Sequence, residues 1–325
     1  MSQETLYLEN RKVLRVSGLN CVDFLNNILT SDISKLKPLE TIPAALLSPQ
    51  GKVLYDILVS LDFKTAYKEK SILIEYDLIC EDELIKKLNM YNLRKDVKVE
   101  KTNYYVHVSI NPKCSENSLR DKRFSNTNIN ISRIYYKKKP INLIDNSYAS
   151  NWYDLIRYKN CIPEGTKEIE INTTLPMEIN LDLLGGISFE KGCFIGQEVN
   201  ARIKYKGLVK RKYVPIYFKN KKFSFSNLDK IDNKIFLEIE NIGEVIALSL
   251  NKEDDIWYGI AKIKLSKLYL FEANLGVKPN PNKSGIINLN LFFRSGYILL
   301  NSKKLLSNQC KNNIGFPVPP ITTGN

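Results

Sequence analysis

Ser188-Phe189-Glu190-Lys191-Gly192-Cys193-Phe194-Ile195-Gly196-Gln197-Glu198, leading into Val199-Asn200-Ala201-Arg202-Ile203, is the densest concentration of chemically useful residues in the chain. Glycines on both sides of the cysteine, four positions apart, allow the backbone a tight or left-handed path. From Gln197 to Lys204 the composition suits a helix. A thiol in a loop just ahead of a helix N-terminus lies near the positive end of the helix dipole, and Lys191 is two residues away. Both effects favour thiolate, the form that binds metal or attacks an electrophile. Gln197 and Glu198 add an amide and a carboxylate suited to the donor and acceptor edge of a heterocycle. The competing reading makes Cys193 a small buried hydrophobe and leaves the glycines to shape a turn.

Around this segment the periodicities alternate between strand and helix. Residues 12–16 read as a strand, Ser17-Gly18 as a turn, and Asn20 as the cap of a helix whose apolar face is Cys21, Phe24, Leu25, Ile28 and Leu29. Residues 44–47 and 52–61 form an expected hairpin about Ser48-Pro49-Gln50-Gly51, with Asp56 in its second strand. Leu84, Ile85 and Leu88 predict a helix over 81–88, followed by strands at 97–100 and 104–110; the polar stretch 111–130 reads as a surface excursion. Beyond residue 213 short alternating strands at 234–240, 244–250 and 257–265 predict a small β-barrel, with a boundary near 206–213. This mixture is α+β, and neither a G-x-G-x-x-G nor a Walker motif is present.

With 325 residues the length prior is about two domains, and a core of that size needs no disulfide or structural metal. The six cysteines lie far apart without a C-x-x-C, which points to a reducing, cytoplasmic setting. No run of 18 apolar residues exists, so no membrane span is expected, and the N-terminus lacks a signal-peptide pattern. His107, the one histidine, falls in an alternating run and is expected to pack rather than catalyse. The net charge of +13 is uneven. Residues 1–200 hold 27 basic and 26 acidic side chains, whereas residues 201–325 hold 21 and 9. Nine cations and no acid lie from Arg202 to Lys222, interleaved with Tyr205, Tyr213, Tyr217 and Phe218. That composition suits an RNA-tracking surface, or a strand pair with its aromatics in a core and its lysines solvated.

Lys191 to Glu198, KGCFIGQE, closely resembles the K-G-C-[FY]-x-G-Q-E signature of the YgfZ family. Those folate-binding proteins are related to the glycine-cleavage T-protein (aminomethyltransferase) and include a mitochondrial iron–sulfur assembly factor. Flanking stretches are similar too: Trp152 to Arg157, Ile162-Pro163-Glu164, Gly186-Ile187-Ser188-Phe189, Ala201-Arg202, Thr30-Ser31-Asp32 and Ser48-Pro49-Gln50-Gly51-Lys52. The resemblance covers about residues 5–270.

It implies a T-protein-like α+β fold: a folate-binding region of two interleaved α+β domains over 1–208, a C-terminal β-barrel over 209–280, and a tail of unknown structure over 281–325. It further implies a tetrahydrofolate cofactor and a role in assembling, maintaining or repairing iron–sulfur proteins, tRNA-modifying enzymes among them. Cys193 and Lys191 take the family's functional positions, with Cys193 a possible ligand of a transient cluster shared with a partner. The expected partners are iron–sulfur assembly or carrier proteins and their clients, and the chain is expected to be a monomer. Asp56, Gln197, Glu198 and Arg202 are the candidate folate contacts. Two departures count against aminomethyl transfer. The G-G-x-x-D-D strand of the transferase retains only Asp56, and its R-x-E-A-G becomes Arg157-Tyr158-Lys159-Asn160-Cys161, with Lys159 in place of the acid. A one-carbon transferase and an RNA-binding protein remain as alternatives.

Overall fold

The computed structural model describes residues 5–62, 71–94, 96–111, 118–138, 146–218, 233–237 and 240–267, with short strand segments at 287–288, 291–294 and 297–300. The chain divides into two units. The first comprises Met1–Ala149 and Glu164–Leu208, and the second Ser150–Pro163 and Val209–Asn325. Residues 150–163, which the sequence places in the first region, therefore cluster with the second unit.

In chain order the first unit holds β1 (Thr5–Tyr7), β2 (Arg11–Ser17), α1 (Cys21–Ile28), β3 (Glu40–Leu47), β4 (Val53–Leu61), β5 (Ser71–Asp77), α2 (Glu81–Tyr91), β6 (Lys98–Lys101), β7 (Tyr105–Ile110), β8 (Ser118–Asp121) and β9 (Ile131–Tyr136). Next come α3 (Asn146–Lys159), whose residues from Ser150 onward belong to the second unit, and α4 (Gln197–Tyr205) in the first. The nine strands form one sheet in the order β1-β7-β9-β8-β3-β4-β5-β2-β6.

Alternation gives this sheet two faces of opposite character. Leu14 and Val16 of β2, Ile57 and Val59 of β4, and Ile72 and Ile74 of β5 pack with Cys21, Leu25 and Ile28 of α1 and with Leu84 and Leu88 of α2 into one apolar core. The intervening positions carry charge. Fully buried Arg11 donates from Nε to Glu75 and from Nη1 to Asp56, each at 3.0 Å. Tyr135 donates to Glu75, and Arg123 and Arg133 both donate to Glu164. Burial pulls the Arg11 guanidinium down, but Asp56, Glu164 and Glu75 outweigh it and hold the group charged. Charges that leave water survive only when so compensated.

The second unit holds β10 (Arg211–Phe218), β11 (Lys234–Leu237), β12 (Glu240–Asn251), β13 (Ile256–Lys264), β14 (Ile287–Asn288), β15 (Leu291–Arg294) and β16 (Tyr297–Leu300), in the order β14-β10-β13-β12-β11-β16-β15. Strands β14 and β16 run parallel to β10 and β11. Part of the segment left as a tail by the sequence therefore joins the sheet through its apolar runs, while residues 301–325 lie outside the described ones.

The predicted hairpin is β3–β4, closed by Gly51 N–H donating to the Ser48 carbonyl at 2.8 Å. Two expectations are corrected. Asn20 holds the N-cap position of α1 but makes no cap; its amide donates to Asp96. The polar stretch 111–130 is not wholly a surface excursion, since it contributes β8 and buries Asp121 and Arg123. His107 is buried between the rings of Tyr7 and Tyr136, and burial lowers its pKa, as packing requires.

Replacing Arg11 with Met leaves Glu75 buried without its main cation. The expected loss is about 3–5 kcal/mol in urea unfolding, with part regained in the Arg11→Met/Glu75→Gln double variant.

Candidate functional site

The Lys191–Glu198 segment is held to the first unit at three places. Thr30 is the first: its hydroxyl donates to the Gly186 carbonyl at 2.6 Å and accepts from Ala45 N–H, while its own carbonyl accepts from Ser188 N–H. Lys191 is the second. Its ammonium donates to the carbonyls of Asn26 at 2.8 Å, Ser31 at 2.7 Å and Leu29, and lies 4.8 Å from the Phe194 ring centroid. Asn26 belongs to the last turn of α1, where carbonyls lack intrahelical partners and the dipole favours a cation. Burial pushes the Lys191 amine down to about 8, with Asp32 opposing.

The third attachment explains Gly196 and Gly51. Both adopt left-handed conformations, φ +76° and +77°. A side chain on Gly196 would place its Cβ 2.7 Å from the Ser48 carbonyl oxygen and 2.9 Å from Gly51 Cα. Fully buried Asn200 of α4 seals this contact, its amide donating to the carbonyls of Gly51 at 2.9 Å and Gly196 at 3.0 Å. The hairpin turn and the start of α4 thus meet backbone to backbone.

Between these anchors Cys193 is exposed, whereas Cys21, Cys80 and Cys161 are buried. Its neighbour Phe194 is buried, so the loop is pinned on both sides of an open thiol. The amide oxygen of Gln197 accepts from Phe194 N–H at 3.3 Å, and Gln197 N–H donates to the Phe194 carbonyl at 3.1 Å. Gln197 therefore closes its own turn. Glu198 and Arg202 lie one turn apart on α4, and both are exposed.

Asp56 sits apart from that loop, on the charged face of the nine-stranded sheet. Its Oδ2 accepts from Arg11 at 3.0 Å and from Gly165 N–H at 3.2 Å, and its side chain keeps 16% exposure. Lys159, at the position of the transferase acid, lies in the second unit 4.2 Å from the Tyr258 ring centroid. Of the aromatics of the basic stretch, Tyr213 and Phe218 are buried, with Phe218 stacked on Trp257, whereas Tyr217 is half-buried and Tyr205 exposed. Lys219, Lys221 and Lys222 lie outside the described residues.

Sequence reading missed Thr30 and Asn200, which carry as much of the loop's geometry as the glycines do. Their signal was a buried-type polar residue beside each motif: Thr30 before Ser31-Asp32, and Asn200 four residues after Gly196.

The architecture is that of the aminomethyltransferase T-proteins. The Bartonella henselae glycine cleavage system aminomethyltransferase T superposes with a TM-score of 0.62 over 81% of this chain and 79% of that one, at 15% identity, which establishes the shared fold. Among curated proteins the chain is similar to mitochondrial iron–sulfur cluster assembly factors. The human factor IBA57 is 28% identical over 233 residues, covering 65% of each protein, and its Yarrowia lipolytica homologue is 26% identical over 255 residues, covering 63% of this chain and 53% of the relative. The chain thus spans about half to two thirds of the length of those relatives. No family model matches it. The mitochondrial relatives do not support the cytoplasmic setting expected from the cysteines. No helix among the described residues is long and apolar enough to cross a membrane.

Lys191→Met removes all three donors to buried carbonyls, and a loss of about 1.5–3 kcal/mol is expected in urea unfolding. The pH dependence has a definite sign. A folded-state lysine near 8 against an ordinary 10.5 means the unfolded chain binds more protons between those values, so this residue makes stability rise with pH there. The rise should be present from pH 8 to 10 in the parent protein and missing in Lys191→Met. Gly196→Ala forces alanine into a left-handed conformation costing about 1–2 kcal/mol and adds the clash with Ser48. A lower urea midpoint at unchanged slope is the expected result.

Proposed function

We propose that this protein is an accessory factor for iron–sulfur cluster proteins that presents Cys193 as an exposed thiol on an anchored loop and binds a tetrahydrofolate near Asp56. The observation that carries the reading is the contrast between Cys193 and its buried counterparts. The loop is held by Lys191, Thr30 and the Gly51–Gly196 contact, yet its one thiol faces solvent. Similarity to iron–sulfur cluster assembly factors supports the client class, and the T-protein fold supports the folate.

Among the described residues no group of three or more His, Cys, Asp or Glu could hold a metal ion. A cluster handled here is therefore cargo, for which Cys193 supplies one thiolate and a carrier or client protein the remaining ligands. The carrier, the clients (tRNA-modifying enzymes included) and the compartment belong to this proposal.

The folate fits the residues present at one point in particular. Both described contacts of Asp56 fall on Oδ2, leaving Oδ1 for the donor edge of a pterin, and the adjacent Arg11 Nη2 is buried without a hydrogen-bond partner. Gln197 is taken by its own turn. Arg202 is exposed to meet the ligand's anionic glutamate end, and Glu198 is an exposed acceptor for its donor groups. Bound tetrahydrofolate would supply a one-carbon carrier. Asp56 would orient its ring, its carboxylate held in place by Arg11.

Cys193→Ala, expressed in cells whose own assembly factor of this class has been removed, should fail to restore the activity of [4Fe–4S] enzymes while melting as the parent does. Restoration equal to the parent's would refute the role of the thiol. Separately, Asp56→Asn should weaken tetrahydrofolate binding about tenfold or more in fluorescence titration, the range expected when a charged hydrogen bond is lost.

A further inference from the structure

The sheet of the second unit contains a cavity that neither the thiol nor the folate reading uses. It has a volume of about 220 Å³, and its charged lining is Arg211 of β10, Lys262 and Lys264 of β13, Glu244 of β12 and Lys234 of β11. Register places these on one face. Arg211 is opposite Lys264, Lys262 is opposite Glu244, and Glu244 is opposite Lys234. The two β13 lysines are two residues apart and so point the same way.

Folding alone does not account for this arrangement. Like charges directly opposite on paired strands destabilise a sheet, and Arg211 with Lys264 is such a pair. Lys264 is partly turned aside, donating to the Asn241 carbonyl at 2.5 Å with Glu240 4.0 Å away. Lys262 is only 7% exposed, yet its one described ionic partner, Glu244 Oε1, lies 3.8 Å off, beyond hydrogen-bonding distance. The Lys262 stem is buried while its ammonium faces the cavity without a described hydrogen-bond acceptor, leaving its donors open to a ligand. Four cations against one carboxylate leave a net charge of +3 on the lining.

We propose that this cavity binds a diphosphate group. At about 220 Å³ the cavity is smaller than the ~300 to 1,000 Å³ of pockets for drug-sized molecules, which suits a compact head group. The charge selects a polyanion: each phosphoryl group carries about −1.5 to −2 near neutral pH, so two linked ones match +3. The spread favours a linked pair over a single phosphate. The cations come from three of four adjacent strands, and the outer two, Arg211 and Lys234, stand three strand spacings of about 4.8 Å apart, so a linked pair of phosphoryl groups reaches further toward both than one tetrahedral ion does. Arg211 supplies a forked donor, Lys262 a point charge from within the sheet, and the more exposed Lys234 and Lys264 point charges at the rim. The site stands independently of the proposed function and is tested separately from it.

The test is calorimetric titration of the full chain with inorganic pyrophosphate, beside orthophosphate, hexaglutamate and a single-stranded RNA oligomer at matched ionic strength. Arg211→Gln changes an exposed rim residue and should fold normally; Lys262→Gln changes the buried one; Lys252→Gln, in the exposed β12–β13 turn, is the control. Saturable pyrophosphate binding that weakens at least tenfold in Arg211→Gln and Lys262→Gln, at unchanged melting temperature for Arg211→Gln, and is kept in Lys252→Gln, is the expected result. Absence of pyrophosphate binding, or equal binding in the Arg211 variant, overturns the proposal. So does tighter binding of orthophosphate, hexaglutamate or RNA through the same residues.

Discussion

A single ammonium group organises the region from which the chemistry is presented. Lys191 reaches three backbone carbonyls at and just beyond the end of α1 and ties to that helix a loop more than 150 residues away in sequence. Those carbonyls belong to a helix terminus and the turn after it, where intrahelical donors have run out. Arginine is too broad and too planar to point at all three, whereas a compact ammonium with three donors can. Once Lys191 is seated, Gly192 and Cys193 have little choice of path, and Phe194 drops into the interior on the far side. The glycine pair Gly51–Gly196 then fixes where α4 begins. Together with Thr30, these contacts hold the loop that carries Cys193.

Much of this was legible in the sequence, and what was not has a common cause. Helix α1, the β3–β4 hairpin, α4 and the central strands of the second unit all follow local rules of spacing, turn chemistry and alternation. The charged network does not. Glu75 stands in the apolar run Ile72-Leu73-Ile74 and Arg133 in Ile131-Ser132-Arg133-Ile134, and such embedded charges signal burial with a partner, but no spacing rule names the partner. Asp121 and Arg123 were harder still, because Lys, Asn and Ser surround them and mask two buried ions in a surface composition. Their partner Glu164 is distant in the chain. Lys191 also has a structural role that its place in the sequence does not announce. Proximity to Cys193 in sequence suggests help to the thiol, while the side chain spends its donors on carbonyls.

The two faces of the nine-stranded sheet explain how one fold can keep a carboxylate useful while burying so much charge. The apolar face carries the packing energy. On the other face Arg11 binds Glu75 and Asp56 through separate nitrogens, which compensates both acids. Asp56 lies at the edge of this network, partly exposed and with one oxygen uncommitted.

The exposure of Cys193 is most informative beside the chain's other cysteines. Burial holds the Cys80 thiol up at about 11, the condition of an inert packing residue. Cys193 is open to solvent on a loop whose backbone is already ordered by buried contacts. Ordering a mobile loop on association costs about 0.5–1.5 kcal/mol for each rotamer-rich side chain immobilised, and an anchored loop has met much of that cost in folding. One thiolate cannot hold a cluster alone, so any affinity for cargo must come largely from a partner's ligands. A pre-ordered single ligand is well suited to that situation: it adds a bond at small entropic cost and can release it without the fold changing.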